Sequence, residues 1–409
     1  MRSNRSAPGG LAAICSCHAN AGRLPRWLGI VAAVGLLAVL SQGETPETSQ
    51  AASFKIGLLL PPTEADAGDI RRGAELGVAA VNRQPGARVE LIVRGQAGQW
   101  GSDGNEAVVL ALDDGADALL APSSGATVHQ ALQVAGRTRV PVVSLCPDTS
   151  VTRAGVPWTV RVASRTDDEA AALFAAIKQA TGKTSLSVVA LVPPERAGRE
   201  AGKDLQHAAR GANVEVVQTI SVAPGDTHFT PLLQPALAAR PDAILLWLDA
   251  PEAGRLARAV RAAGFAGRLA GPGGLCCPAF FRAGGGSVEG VLIPVPPAIT
   301  SPGEMRERFQ KDLVEGSPLA GETASRPPAN QPPNLTVALA FDAVLVLADV
   351  LRHAESRPVF REFPLTRSLS GVTGELLFDR EGNRRVSLQV LELRANGSVT
   401  VVWPQPAAP

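Results

Sequence analysis

Tyrosine is absent from all 409 residues, and aromatic side chains make up only 4% of the chain. A ligand site built from this sequence has few rings to draw on. Cysteine is nearly as scarce, at Cys15, Cys17, Cys146, Cys276 and Cys277. No C-x-x-C spacing occurs, so neither a zinc site nor a disulfide scaffold is indicated. Adjacent Cys276 and Cys277 read as ordinary buried or loop thiols rather than a redox pair. Lysine is confined to Lys55, Lys178, Lys183, Lys203 and Lys311, and the net charge is only +1. That balance gives no reason to expect nucleic acid or an anionic membrane surface as partner. Missing too are G-x-S-x-G, H-E-x-x-H and the dinucleotide fingerprint, while Gly284-Gly285-Gly286 has no following Lys-Ser/Thr to make a phosphate loop. His129 and His228 stand alone and read as surface or packing residues. No catalytic residue, metal or cofactor is expected.

What is present is ordinary globular material, 45% hydrophobic and 19% charged, in a chain longer than one core usually serves. Arg2, Arg5, Arg23 and Arg26 precede the apolar run Leu28–Leu40. That run is shorter than the ~17–25 residues a membrane helix needs, and it reads as a signal peptide over 1–43. Ser41-Gln42-Gly43 offers a cleavage site and Ser49-Gln50-Ala51 a second one. An uncleaved membrane anchor is the alternative, and either reading exports the body. Residues 44–53 form a polar linker.

From Phe54 onward, strand and helix patterns alternate. Phe54–Leu60 is a short apolar run, the loop Pro61–Asp69 follows, and Ile70, Ala74, Leu76, Val78 and Val81 then fall on one helical face. Strand-like runs recur at Val89–Arg94, Ala118–Ala121, Val140–Ser144, Leu186–Val192, Val214–Ile220, Ala243–Leu248 and Val288–Ile293, with helical patterns between them. Such order predicts parallel sheets with helices on both faces and ligand loops at the carboxyl ends of the strands. Helices over Glu304–Val314 and Leu335–His353 flank a Pro-rich loop, 317–334. Two turns, Arg380–Asn383 and Ala395–Ser398, separate the last strands Glu375–Asp379, Val386–Arg394 and Val399–Trp403.

KIGLLLPPT, IRRGAELGVAAVN, DDGADALLAPSSG, VPVVS, FTPLLQPALAARPDAILLW, AVRAAGFAGRLAGPGGL, VEGVLIPVPP, LAFDAVLVLADVL and SGVTGELLFDREGNRR occur in this order. The set, covering nearly all of Phe54–Trp403, resembles the periplasmic branched-chain amino-acid-binding proteins, the receptors of ABC importers. The resemblance implies an α/β type I periplasmic-binding-protein fold: two lobes of parallel sheet flanked by helices, joined by three hinge crossovers. Lobe 1 would take 54–163 and return over 293–383, and lobe 2 would take 164–292 with the final strands and tail over 384–409. It also implies a monomeric, non-enzymatic receptor outside the cytoplasm. Its partners would be a small-molecule ligand, such as an amino acid or a related amide or carboxylate, and a membrane permease.

Ser123-Ser124-Gly125 stands at a strand end and opens a helix, where free N–H groups and the helix dipole favour an anion. The resemblance assigns the ligand's carboxylate to this loop, although simple N-capping would need only one serine. Cys146, Asp148 and Thr149 belong to the next strand-end loop, which in the family donates to the same carboxylate; Asp148 is out of place there unless paired. In the second lobe, Ala197 falls where the family often has tyrosine, and Asp249 lies near a second aromatic position. Gly273 sits in the loop, Gly271–Gly274, from which the family's ammonium-gripping acid usually comes. Either Asp249 or Glu195 supplies that charge, or the ligand carries no ammonium. Trp247 reads as core rather than cleft. A same-fold sensor contacting another envelope protein is the competing reading.

Overall fold

The computed structural model describes residues 53–95, 101–315, 334–353 and 367–404. The expected leader, nearly all of the linker, the Pro-rich loop up to residue 333 and the tail beyond 404 lie outside the described residues, as does the side chain of Glu195.

The body opens with β1 (Ser53–Leu59), α1 (Ala67–Asn82), β2 (Arg88–Arg94) and α2 (Ser102–Val108), the last continuing into a π turn over Val109–Asp113. Next come β3 (Ala118–Ala121), α3 (Gly125–Thr138), β4 (Val142–Ser144), α4 (Ser150–Arg153) and β5 (Thr159–Arg161). The five strands form one parallel sheet in the order β2-β1-β3-β4-β5. Its inner strands β3 and β4 are buried throughout because both faces are covered. Ile56 and Leu58 of β1 pack with Ile70, Ala74 and Val344, whereas Leu59 faces Leu110, Val128 and Leu132 on the other side.

The chain then enters a second sheet through α5 (Thr166–Thr181), β6 (Leu186–Val192), α6 (Glu195–Gly211), β7 (Val214–Ser221), α7 (Thr230–Ala238) and β8 (Ala243–Leu246). It continues through α8 (Ala250–Ala262), β9 (Arg268–Ala270), α9 (Pro278–Gly284) and β10 (Leu292–Val295). Val188, Ala190 and Val192 of β6 meet Leu173, Phe174 and Leu205, while Val189 and Leu191 meet Leu233, Leu256 and Phe280. The strand expected over Val288–Ile293 starts later, at Leu292. Gly285–Val288 is a 3-10 turn, and Gly290 takes φ 75°.

Two helices then return to the first sheet: α10 (Glu304–Glu315), which touches α1, and α11 (Leu335–His353), which lies along α1 and against β1, β3 and β4. A Cβ on Gly73 would stand 2.2 Å from the Val337 carbonyl oxygen, and one on Gly77 2.8 Å from Val344 Cβ. Two glycines four residues apart therefore let α1 settle on α11 at close range. The small hairpin β11 (Leu369–Gly371) and β12 (Gly374–Leu376) follows, and β13 (Gln389–Leu393) and β14 (Val399–Trp403) add antiparallel to β10. The second sheet thus runs β14-β13-β10-β9-β8-β6-β7. The fold is the two-lobe α/β arrangement, with the chain passing between sheets after β5, after β10 and before β13.

Buried charge pins these passages. Arg161, 0% exposed, donates to the carbonyls of Pro147 (3.0 Å) and Asp148 (2.7 Å) and to Asn383 Oδ1. Asp342, also 0% exposed, accepts from the Val372 and Thr373 N–H groups at 2.7 and 2.9 Å and from the Thr373 hydroxyl. Arg384 lies beside it and donates to the Thr373 carbonyl at 2.9 Å.

Candidate ligand-binding cleft

Loops at the carboxyl ends of β1, β3 and β4 face those of β6, β8 and β9 across a cavity of about 460 Å³, the size of a small-molecule site. The first sheet contributes Glu64 and Asp66 after β1, Ser123 and Ser124 after β3, and Cys146 and Asp148 after β4. The second contributes Arg196 and Ala197 at the start of α6, Trp247 and Asp249 after β8, and Pro272 and Gly274 after β9. Glu169, in the first turn of α5, closes the floor.

Among the residues expected from sequence, Ser123, Ser124, Cys146, Asp148, Ala197 and Asp249 line this cavity. Thr149 and Gly273 do not. Thr149 is buried against the other lobe, donating its hydroxyl to Asp204 Oδ1 at 2.7 Å, because the loop turns into α4 at that residue. Gly273 gives its N–H to Glu169 Oε2 at 3.1 Å, and Gly274 takes the wall position instead. Trp247 is buried in the core, as expected, yet the residue also borders the cleft.

The start of α3 is already occupied by the protein's own acids. Ser123 Oγ donates to Asp66 Oδ2 at 2.8 Å. Ser124 Oγ caps the helix, accepting from the Thr127 N–H at 3.4 Å, and its backbone N–H steadies the ionised form of Glu64. Asp148 comes so near that a Cβ on Gly125 would lie 2.6 Å from its Oδ2. Asp148 is itself paired across the lobes, accepting from Arg196 Nη1 at 2.8 Å, while Arg196 Nη2 donates to Ser150 Oγ at 2.8 Å. Burial resists ionisation of Asp148, but the Ser150 N–H, the Ser150 hydroxyl and Arg196 outweigh it and lower its pKa.

Glu64, Asp66, Glu169 and Asp249 have no ion-pair partner among the described residues. Burial, with Asp66 and Asp249 beside it, pushes Glu64 up to about 8. Burial raises Asp66 to about 6 against the opposing Ser123 hydrogen bond, with Asp249 adding to the rise. Loss of solvent raises Asp249 as well. Glu169, 6% exposed, is pushed by burial to about 8 despite the Gly273 N–H. Among the described residues that line the cavity, Arg196 is the one cation. The Cys146 thiol is buried and raised to about 12, so it is a neutral wall group rather than a nucleophile. Among the described residues, no His/Cys/Asp/Glu group could hold a metal ion. Glu64, Asp66, Glu169 and Arg196 carry no sequence motif. Only the placing of Pro61–Asp69 at a strand end hinted at the first two.

A ligand-sized cavity between two doubly wound lobes, walled by strand-end loops from both, defines a hinged binding protein. The chain belongs to the periplasmic binding protein family, whose family model matches residues 53–385. The fold is similar to a leucine-binding protein from Thermotoga maritima, at 21% identity over 86% of this chain and 97% of that one, with a TM-score of 0.72. It is equally similar to an ABC-transporter solute-binding protein from R. palustris in complex with benzoate, at 19% identity, 86% and 95% coverage and a TM-score of 0.72. A branched-chain amino acid transporter substrate-binding protein from Streptococcus pneumoniae, in complex with isoleucine, matches at 16% identity, 86% and 99% coverage and a TM-score of 0.71. No curated protein sequence matches the chain. Family and neighbours are solute-binding receptors of ABC transporters rather than enzymes. Among the described residues, no helix is long and apolar enough to cross a membrane.

Proposed function

We propose that this protein is an extracytoplasmic solute receptor that captures one small ligand between its lobes and presents the closed form to the permease of an ABC importer. The observation that carries this reading is the cavity of about 460 Å³ at the carboxyl ends of both sheets, with each lobe supplying part of the wall. Ligand contacts both lobes only when they are shut, so binding shifts a hinge equilibrium toward closure. The receptor acts as a monomer, with lobe 1 returning over 293–383 and lobe 2 finishing over 384–409.

Relatives of this fold bind leucine, isoleucine or benzoate. The same size range suits this cavity, and an amino acid, its amide or a related small solute is the starting panel. Native mass spectrometry of protein purified from its own host tests the reading. A retained small molecule, bound one to one and not converted on incubation, is expected. A ligand released chemically altered would overturn it.

A second reading, a sensor of the same fold that contacts another envelope protein, draws on the direct ties between the lobes. Arg196–Asp148 and Thr149–Asp204 are made by the protein's own side chains. If no solute raises the melting temperature while a membrane partner co-purifies, this second reading replaces the first.

A further inference from the structure

The charges lining the cleft do not balance, and the imbalance has a direction. Arg196, the one cation among the described residues that line it, is committed to Asp148 and Ser150. The anion-favouring end of α3 is filled by Asp66 on the Ser123 hydroxyl, by Glu64 on the Ser124 N–H and by Asp148 above Gly125. An incoming carboxylate at that end would meet three of the protein's own acids. Glu64, Asp66 and Asp249, by contrast, line the same cavity with no ion-pair partner among the described residues, and Asp249 is near enough to add to the rise of both Glu64 and Asp66. A second, separate element repeats the pattern. Glu169 on α5 is 6% exposed and lines the cavity with one backbone N–H as partner and no ion pair among the described residues. Acids gathered on one wall with no cation repel one another, and a cationic ligand offsets that repulsion.

We infer that the ligand is a small organic cation, an amine or amidine without a free carboxylate, whose charged end is held by Glu64, Asp66 and Asp249. Its body lies on the apolar wall that includes Trp247, Leu145 and Leu339. This deepens the receptor reading above and rests on it. Burial first, and the neighbouring acids second, raise Glu64 and Asp66.

Three probes share the leucine side chain and differ in charge: 3-methylbutylamine, which lacks the carboxylate, leucine, and 4-methylpentanoate, which lacks the amine. Tryptamine and benzoate repeat the contrast with a ring. Calorimetry on the full mature chain is expected to give binding of an amine at least tenfold tighter than its zwitterionic or anionic counterpart. Glu64→Gln and Asp249→Asn should each weaken that amine tenfold or more while melting within a few degrees of the parent. Tighter binding of leucine, 4-methylpentanoate or benzoate overturns the cation assignment and leaves the receptor reading standing. Where none of the five binds, the solute retained from the host decides by its charge. If the host protein retains no solute either, both readings fall together.

Discussion

Glu169 shows how far burial can outrun local preference. It sits in the first turn of α5 behind Asp167 and Asp168, where the helix dipole favours an ionised acid by about 0.3–1 kcal/mol. Complete burial costs several kcal/mol for the ionised form, so the proton stays on, and the pKa moves from 4.5 to about 8. The sign for stability follows from proton binding. Between 4.5 and 8 the folded state holds a proton that the unfolded state has lost, so the folded state weakens as pH rises through that window. Glu169→Gln keeps the acceptor for the Gly273 N–H and removes the titration. Urea denaturation should find the variant gaining on the parent between pH 5 and pH 8 by on the order of 2 kcal/mol. An unchanged difference across that range would remove the buried proton. Little of this is legible in sequence. Asp167-Asp168-Glu169 reads as an ordinary acidic helix start, and nothing in it says that the third acid turns inward. Asp249 and Ser123 were legible because they end strands. Thr149 also ends a strand loop, but the turn into α4 carries it away from the cleft, and a one-residue register is beyond what periodicity specifies.

Among the elements, length decided what could be read. Ala118–Ala121, Leu186–Val192 and Leu335–His353 emerge with the bounds their apolar patterns suggest, because burial on both faces or along a whole helix writes a clear signal. Thr159–Arg161 and Arg268–Ala270 are three-residue strands, too short for any period, and neighbouring strands define them. The α1–α11 contact is a different kind of information: it depends on two glycines whose reason is the distance to another helix. Gly73→Ala would place a methyl 2.2 Å from a carbonyl oxygen. It should cost about 1–3 kcal/mol through forced separation of the helices. Gly136, exposed in α3 with nothing within 4 Å of its Cβ position, offers the contrast. Gly136→Ala should stabilise by about 0.5–1 kcal/mol through helix propensity alone. Chemical denaturation of the two variants side by side checks the pair, and equal signs would contradict the close-approach account.

For the whole molecule, the question is what holds the lobes together before and after a ligand arrives. Arg196 on α6 reaches Asp148 and Ser150 of the first lobe, and Thr149 of the first lobe reaches Asp204 on α6, so the two ties share one helix. The Arg196–Asp148 pair is half-buried and adds about 1 kcal/mol to the closed state. That is enough to shift an open–closed equilibrium roughly fivefold. It is far from enough to lock it, which suits a receptor that must release its cargo. The same pair also keeps Arg196 from serving as a ligand's counter-ion, so closure and charge selection act through one residue. Arg196→Gln and Asp148→Asn should each raise the radius of gyration of the ligand-free protein in small-angle scattering. The double variant should add little beyond either single one, because both remove the same bond. Gly125→Ala tests the geometry independently, since its Cβ would fall 2.6 Å from Asp148 Oδ2 and 2.8 Å from Arg196 Nη1. It should open the lobes with every charge intact. Scattering unchanged in all four variants would mean that the inter-lobe ties follow closure rather than cause it.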